Sequence, residues 1–354
     1  MSVSHRRRDI DYAALTASIR RRGMELGFQQ VAVTAGDLGS DESALLAWLD
    51  AGYHGELGYM ARHGVRRARP AELVPGTIRI ISVRMNYRRE GADPEAVLAS
   101  PELGYVSRYA LGRDYHKMIR RRLQRLADHI ETEAGTFGYR AFADSAPVME
   151  KPLARNAGLG WIGKHTNLLN RTAGSWFFLG ELYTDLPLVV DSPATDHCGT
   201  CRACIDACPT GAIVAPYRLD ARPCISYLTI ELHGPIPVSL RPLIGNRIFG
   251  CDDCQLVCPW NRFAGTSAEI DFDPRHGLDA ASLVELFSWT REDYEARTEG
   301  MALRRLGYER WLRNLAVALG NAPSSPAVQA ALASREHHPS DLVREHVAWA
   351  MSRH

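Results

Sequence analysis

The residues best suited to chemistry are the eight cysteines, and all of them lie between positions 198 and 258. Four fall in "CGTCRACIDACPTGA", with the spacing Cys198-x2-Cys201-x2-Cys204-x3-Cys208-Pro209. This is the bacterial ferredoxin pattern for a [4Fe–4S] cube, in which three thiolates come from one tight loop and the fourth ligates the other cluster of a pair. A second run, "CDDCQLVCPW", reads Cys251-x2-Cys254-x3-Cys258-Pro259 and is one cysteine short, because Ile248 stands where the first would be. Cys224 is left over and completes the set. The expected partition is Cys198, Cys201, Cys204 and Cys258 around cluster 1, and Cys208, Cys224, Cys251 and Cys254 around cluster 2. Zinc also accepts four thiolates from paired C-x2-C motifs, but it does not explain a three-member run closed by Cys-Pro, met twice. A c-type haem needs C-x-x-C-H, and Gln255 follows Cys254.

Two clusters move electrons singly and need somewhere to deliver them. A ferredoxin-type electron carrier would need no more than the cysteine segment, yet about 190 residues precede it. In that part, Asp144 stands at the end of an expected strand, before Ser145-Ala146-Pro147. A carboxylate there can give or take a proton; the plain alternative is a turn cap. "GLGWIGKH" (158–165) imitates a phosphate-binding loop, but His165 replaces the Ser or Thr that would ligate magnesium. Nucleotide hydrolysis is rejected, and the glycines are read as allowing close approach to a large flat ligand or as an ordinary turn.

The elements that must position these groups follow from periodicity. Helices are expected over 11–30 and 40–62, the latter with a Leu45, Leu46, Leu49 stripe and Ser40 or Asp41 as cap. "TIRIISVRMNY" alternates, with Ile81, Val83, Met85 and Tyr87 on one face and Ser82, Arg84 and Asn86 on the other. Ile119, Leu123, Leu126 and Ile130 stripe a helix that Gly135 ends. A strand near 139–143, a helix near 148–157 and a strand near 175–183 complete an α+β or α/β domain over 1–190. The cysteine module takes 191–265, and 280–354 is helical. There "LAVALG" (315–320) resembles "VAWAMS" (347–352) at an offset of 32 residues, pairing Leu315 with Val347, Val317 with Trp349 and Leu319 with Met351. That is either a helical-hairpin repeat or a plain helical tail with core spacing.

Composition narrows the class. The net charge is +1, so no global polycation argues for nucleic acid. The runs Arg6-Arg7-Arg8, Arg20-Arg21-Arg22, Arg66-Arg67-Ala68-Arg69 and Arg120-Arg121-Arg122 read individually as solvated helix faces. No apolar region follows the N-terminal arginines, and no apolar run is long enough to span a bilayer. A soluble, cytoplasmic protein without a membrane partner is expected, and in that compartment eight cysteines are metal ligands rather than disulfides.

Taken with these motifs, the chain resembles the epoxyqueuosine reductase family over nearly its full length. The resemblance rests on "MARHG" (60–64), "YVSRYALGRDYH" (105–116), "DSAPVMEKPLA" (144–154), "GLGWIGKH", the cysteines, "CISYLTIEL" (224–232) and "GNRIFGCDDCQLVCPWN" (245–261). It implies a cobalamin-binding, nitroreductase-like catalytic domain, a ferredoxin-like module with two [4Fe–4S] clusters, and C-terminal HEAT-like helical repeats. It implies reduction of the epoxide of epoxyqueuosine to queuosine at the wobble position of tRNA, the last step of queuosine biosynthesis. The clusters would feed cobalamin, and an unidentified donor would feed the clusters; the protein is expected to act as a monomer. Asp144 is carried over as the proton donor, and Arg62, Ser107, Asp144, Leu168 and Ser226 as cobalamin neighbours. Their plain alternatives are a surface cation for Arg62, turn or cap residues for the serines and core for Leu168.

Many cobalamin enzymes ligate cobalt through D-x-H-x-x-G, but in "DYHKMI" Ile119 replaces the glycine after Asp114 and His116. The cofactor is therefore expected base-off, with no histidine below cobalt. Lys151, His233, Arg304, Arg305, Arg310 and Arg313 are expected to meet the tRNA. A cobalamin-dependent reductive dehalogenase is the alternative enzyme class; those enzymes usually carry a twin-arginine export signal, which this sequence does not show.

Overall fold

Alternating apolar residues build a four-stranded antiparallel sheet. Its strands are β1 (Gln30–Thr34), β2 (Arg79–Asn86), β3 (Tyr139–Phe142) and β4 (Phe177–Thr184), in the order β1-β2-β4-β3. The structure, a computed structural model, describes residues 10–354, and the Arg6-Arg7-Arg8 run lies outside the described residues. Val31 lies opposite Val83 and Ile81 opposite Leu182. With Val33, Met85 and Phe178 they pack against helices α1 (Tyr12–Glu25) and α2 (Tyr115–Ala134) through Leu15, Ile19, Ile119, Leu123 and Leu126. Helix α2 seats closely because β4 carries Gly180, where a Cβ would come 2.8 Å from Ile119. Asp114 caps α2, and Gly135 ends it at φ 75°. The opposite face of the sheet brings Ile80, Phe142 and Tyr183 against Leu153 of α3 (Glu150–Asn156). Strand β2 is therefore interior on both faces, and Ser82 and Arg84 are buried rather than solvated.

Two expected helices are shorter than their apolar patterns suggest. The first ends at Glu25, since Gly27 takes φ 90° and residues 30–34 join the sheet. The second runs Gly39–Asp50 and resumes only over Gly58–Arg62. Between them Gly52 and Gly55 adopt φ 65° and 55°, and a Cβ on Gly55 would meet the Tyr227 hydroxyl at 2.7 Å.

Tyr105–Val106 pairs in parallel with Arg247–Phe249, and Val106, Ala110 and Leu111 join a core made largely by the C-terminal helices. Ile248, in the place of the missing cysteine, is 0 % exposed in that core. The similar segments at 315–320 and 347–352 lie on α4 (Tyr308–Asn321) and α5 (Asp341–Met351). These helices pack together at Gly320, where a Cβ would come 2.6 Å from the Trp349 ring. Among the described residues no helix is long and apolar enough to cross a membrane.

Candidate functional site

The eight cysteines stand in two quartets. Cys198, Cys201, Cys204 and Cys258 line one cavity, and Cys208, Cys224, Cys251 and Cys254 line another of about 200 Å³. Cys204 and Cys254 sit on one-turn helices, Ala203–Asp206 and Asp253–Leu256, that touch each other. Each quartet lines one shared space, which suits a four-thiolate iron–sulfur cube. Lys164 of the false phosphate loop holds the first cysteine loop in place, since its Nζ donates to the carbonyls of Gly199 and Cys201 at 2.5 and 2.8 Å.

Beside these cavities the buried ring nitrogens Trp161 Nε1 and His165 Nε2 have no hydrogen-bond partner among the described residues. Trp161 packs with Cys198 and Cys258, and His165 lines both cavities. His165 Nδ1 accepts the Asn167 N–H, which places the ring proton on Nε2. Burial first, then the charge of Lys151, push this imidazole down to about 4, so it stays neutral.

A cavity of about 370 Å³ adjoins the second quartet and shares Cys251, Ser226, Asn167 and Lys151 with it. Tyr87, Tyr109, Leu168, Phe177 and Phe178 give it flat apolar walls, and no histidine is among its lining residues. Its floor is fixed by Asp252, 1 % exposed, which accepts hydrogen bonds from Tyr105 Oη, Ser107 Oγ and the Arg108 N–H at 2.7–2.8 Å. Gly250, at φ 72°, permits the close pass of Ser107; a Cβ there would lie 2.6 Å from that of Ser107. Through Tyr109 and Tyr115 this cavity meets a cleft of about 320 Å³ lined by His116, Asp144, Glu231, His233, Arg305 and Arg310. A larger cavity, about 710 Å³, lies beyond Cys258 around Arg88, Arg89 and Arg262, and Asp144 is not in it.

Asp144 adopts φ 57°, in the left-handed region that favours glycine. Its Oδ2 accepts from Tyr115 Oη at 2.6 Å and faces His116 Nε2 at 3.0 Å. His116 Nδ1 lies 2.6 Å from Asp114 Oδ1, and Arg305 pairs with Asp114 from the C-terminal side. Burial pushes the Asp144 carboxyl up, but hydrogen bonds from His116 and Tyr115 and the charges of His116 and Arg305 outweigh it and hold it below its ordinary value. The carboxyl is enclosed by protein yet 56 % open to the cleft, so the cleft side moderates that shift. Burial pushes His116 down, and its bonds to Asp114 and Asp144 more than reverse this. Both directions favour a proton on His116 beside an anionic Asp144, while the Arg305 guanidinium, 3.1 and 3.2 Å from the two imidazole nitrogens, opposes it.

The residues expected from the sequence are brought together unevenly. Ser107, Leu168 and Ser226 line the 370 Å³ cavity, the large cavity of the two between the second quartet and Asp144. Arg62 is exposed at the end of its short helix and is not a lining residue. His233, Arg305 and Arg310 share the cleft with Asp144, and Arg304 lies on the surface outside it. One expectation is corrected. Arg313 is 0 % exposed and spends its guanidinium on the carbonyls of Leu228, Leu232 and Gly234, so it cannot reach a phosphate. Lys151 is exposed, and its Nζ donates to Thr166 O and Asn167 Oδ1 between the 370 Å³ cavity and the second quartet rather than in the Asp144 cleft. Tyr115, His116 and Asp252 escape sequence reasoning. The sole hint in the sequence is Asp114-x-His116, which reads there only as a failed cobalt motif.

Residues 67–145 match the family described as Epoxyqueuosine reductase QueG, DUF1730, and residues 197–261 match the 4Fe-4S double cluster binding domain. The chain is 64 % identical over 346 residues to the epoxyqueuosine reductase of Pseudomonas aeruginosa, covering 97 % of this chain and 96 % of that protein. It is similar to a crystal structure of epoxyqueuosine reductase with a tRNA-Tyr epoxyqueuosine-modified stem loop, with TM-score 0.88 and 27 % identity over 96 % of this chain and 90 % of that one. A Bacillus subtilis epoxyqueuosine reductase structure with its catalytic loop swung out of the active site matches with TM-score 0.86 and 27 % identity over the same shares.

Proposed function

The chain belongs to the epoxyqueuosine reductase family and is an oxidoreductase that reduces epoxyqueuosine in tRNA; from that premise we propose how its own residues do so. The observation that carries the reading is a row of four adjoining spaces. His165 joins the two quartets, Lys151 and Cys251 join the second quartet to the large cavity, and Tyr109 and Tyr115 join that cavity to the Asp144 cleft.

The first quartet would hold one [4Fe–4S] cube and the second the other, in the partition read from the spacing. Their surroundings fit: the unpartnered N–H groups of Trp161 and His165 are donors that cluster sulfides can accept. The 370 Å³ cavity suits a corrin: Tyr87, Tyr109, Leu168, Phe177 and Phe178 supply flat apolar walls, Ser107, Asn167, Ser175, Ser226 and Gln255 supply polar groups for an amide-bearing rim, and no histidine is among its lining residues, which suits base-off cobalamin. Ser107, Leu168 and Ser226 would border the ring. Bound there, cobalamin and the clusters supply the two electrons that the reaction consumes. In this reading the parts of the chain at 1–190, 191–265 and 280–354 are the nitroreductase-like, ferredoxin-like and HEAT-like units, in a cytoplasmic monomer.

Opening an epoxide to an alkene and water takes two electrons and two protons. The oxygen leaves poorly as an alkoxide, so it must be protonated as its bond to carbon breaks. Asp144 is the group at the cleft that delivers this proton, and His116 is its source through the Nε2–Oδ2 contact; the second proton, which completes the water, comes from solvent at the open side of Asp144. Tyr115 orients the acceptor oxygen, while Asp114 and Arg305 fix the imidazole. His233, Arg305 and Arg310 would receive the anticodon backbone, positioning the turned-out wobble nucleotide.

The test is turnover. Anaerobically reconstituted protein, given a one-electron reductant and tRNA bearing epoxyqueuosine, is expected to yield queuosine by mass spectrometry of the digested tRNA. Unchanged epoxyqueuosine, with iron and cobalamin both bound, would overturn the reading.

A further inference from the structure

Beneath Asp144 lies a carboxyl pair that the proton path above does not use. The left-handed turn at Asp144 persists only if its neighbours enforce it. The enforcing contact is Glu150, whose Oε1 accepts the Asp144 N–H at 2.6 Å. Helix α3, which Glu150 begins, packs on β4, and the Glu150 carboxyl meets that of Glu181 in the middle of the strand. Glu181 is 0 % exposed and lies opposite Ser82 and Phe142 in the sheet. Neither of its oxygens receives a hydrogen bond from a donor among the described residues.

Two carboxylates side by side, Glu181 fully buried and Glu150 half-buried, do not both stay anions, because desolvation of Glu181 and mutual repulsion act together. The other titratable groups facing the pair do not neutralise it. Asp144 adds negative charge, and Tyr115 and Tyr183 are neutral. His116 is engaged by Asp114 and Asp144, and Lys151 by Thr166 and Asn167. A single proton resolves the conflict.

Resting on the functional reading above, we propose that Glu181 keeps a proton and donates it in a hydrogen bond to Glu150, and that this acid–carboxylate pair is the clamp that positions Asp144. Glu150, so charged, accepts the Asp144 N–H more strongly than a neutral group would. The directions of titration agree. Burial and the Asp144 charge push Glu150 up to about 7, and burial and Glu150 push Glu181 well above the ordinary range. Both are positioning residues, since neither touches the substrate cleft.

The test uses the reconstituted full chain, with variants compared at equal iron content. At neutral pH and without tRNA, the infrared spectrum is expected to contain a deuterium-sensitive carbonyl band of a protonated carboxyl that Glu181→Gln lacks. If the two spectra agree in that region, the proposal fails whatever the activity. Kinetically, Glu150→Ala is expected to lower kcat at least about tenfold, toward the roughly hundredfold that a 1 Å misplacement can cost, with KM for epoxyqueuosine-tRNA changed less than about twofold. Glu150→Gln keeps an oxygen for the Asp144 N–H and is expected to recover most of that loss. Full kcat in Glu150→Ala, or no recovery in Glu150→Gln, overturns the clamp. A wild type that converts nothing would sink the functional reading instead, and the infrared comparison would still decide the pair.

Discussion

Removing Arg313 separates a structural strut from a tRNA contact. From α4 its guanidinium donates to Leu228, Leu232 and Gly234 at 2.7–2.8 Å, and the segment it grips carries Ile230, Glu231 and His233 of the cleft wall. In Arg313→Ala three buried carbonyls lose donors, at about 1–3 kcal/mol each. Relief of the buried cation offsets part of this, for burial pushes Arg313 down to about 9. The net loss is about 2–4 kcal/mol, or a fall in Tm on the order of 5 °C for a chain of this size. Circular-dichroism melting and tRNA binding against salt concentration are the assays. The variant is expected to melt early while the salt slope of log K stays unchanged, since no phosphate contact is lost. An unaltered Tm with a slope reduced by about one would show that Arg313 meets the backbone of tRNA, and the inference from burial would be wrong.

Two further outcomes follow from the site. Cys224→Ala is expected to reduce bound iron from about eight atoms per chain to about four, with the first quartet intact; iron unchanged at eight would mean another residue fills that position. Stability should also track the carboxyl pair. Burial and Glu150 hold the Glu181 carboxyl well above the 4.5 of an ordinary glutamate, so the folded state keeps a proton that the unfolded chain releases. That stabilisation is complete below about 4.5 and is lost as pH rises toward the raised folded value. Tm is thus expected to fall between about pH 5 and 8 in the wild type and less steeply in Glu181→Gln; parallel curves would contradict the linkage.

How much is legible in the sequence depends on whether the signal is local. Each three-cysteine run can be read because its spacing encodes one tight loop, and the partition because the Cys-Pro cysteine of each run serves the other cluster; the same two quartets line two cavities in the structure. Helix α2 can be read because its stripe, cap and stop signal are contiguous. What fails is long-range. The arginine at 313 looks like its neighbours 304, 305 and 310 in sequence, and only the docking of residues 228–234 on α4 buries it. The helix expected over 40–62 breaks where Gly55 must clear Tyr227, more than 170 positions away. His116 escapes recognition because its partners are Asp144 and Arg305, which no spacing rule connects to it.

The central claim is that Asp144, charged from His116, protonates the departing oxygen. Single-turnover conversion of epoxyqueuosine-tRNA by pre-reduced Asp144→Asn tests it most directly. The account predicts a rate lower by about 10²–10⁴-fold, with iron, cobalamin and tRNA affinity at wild-type levels; a wild-type rate would contradict it.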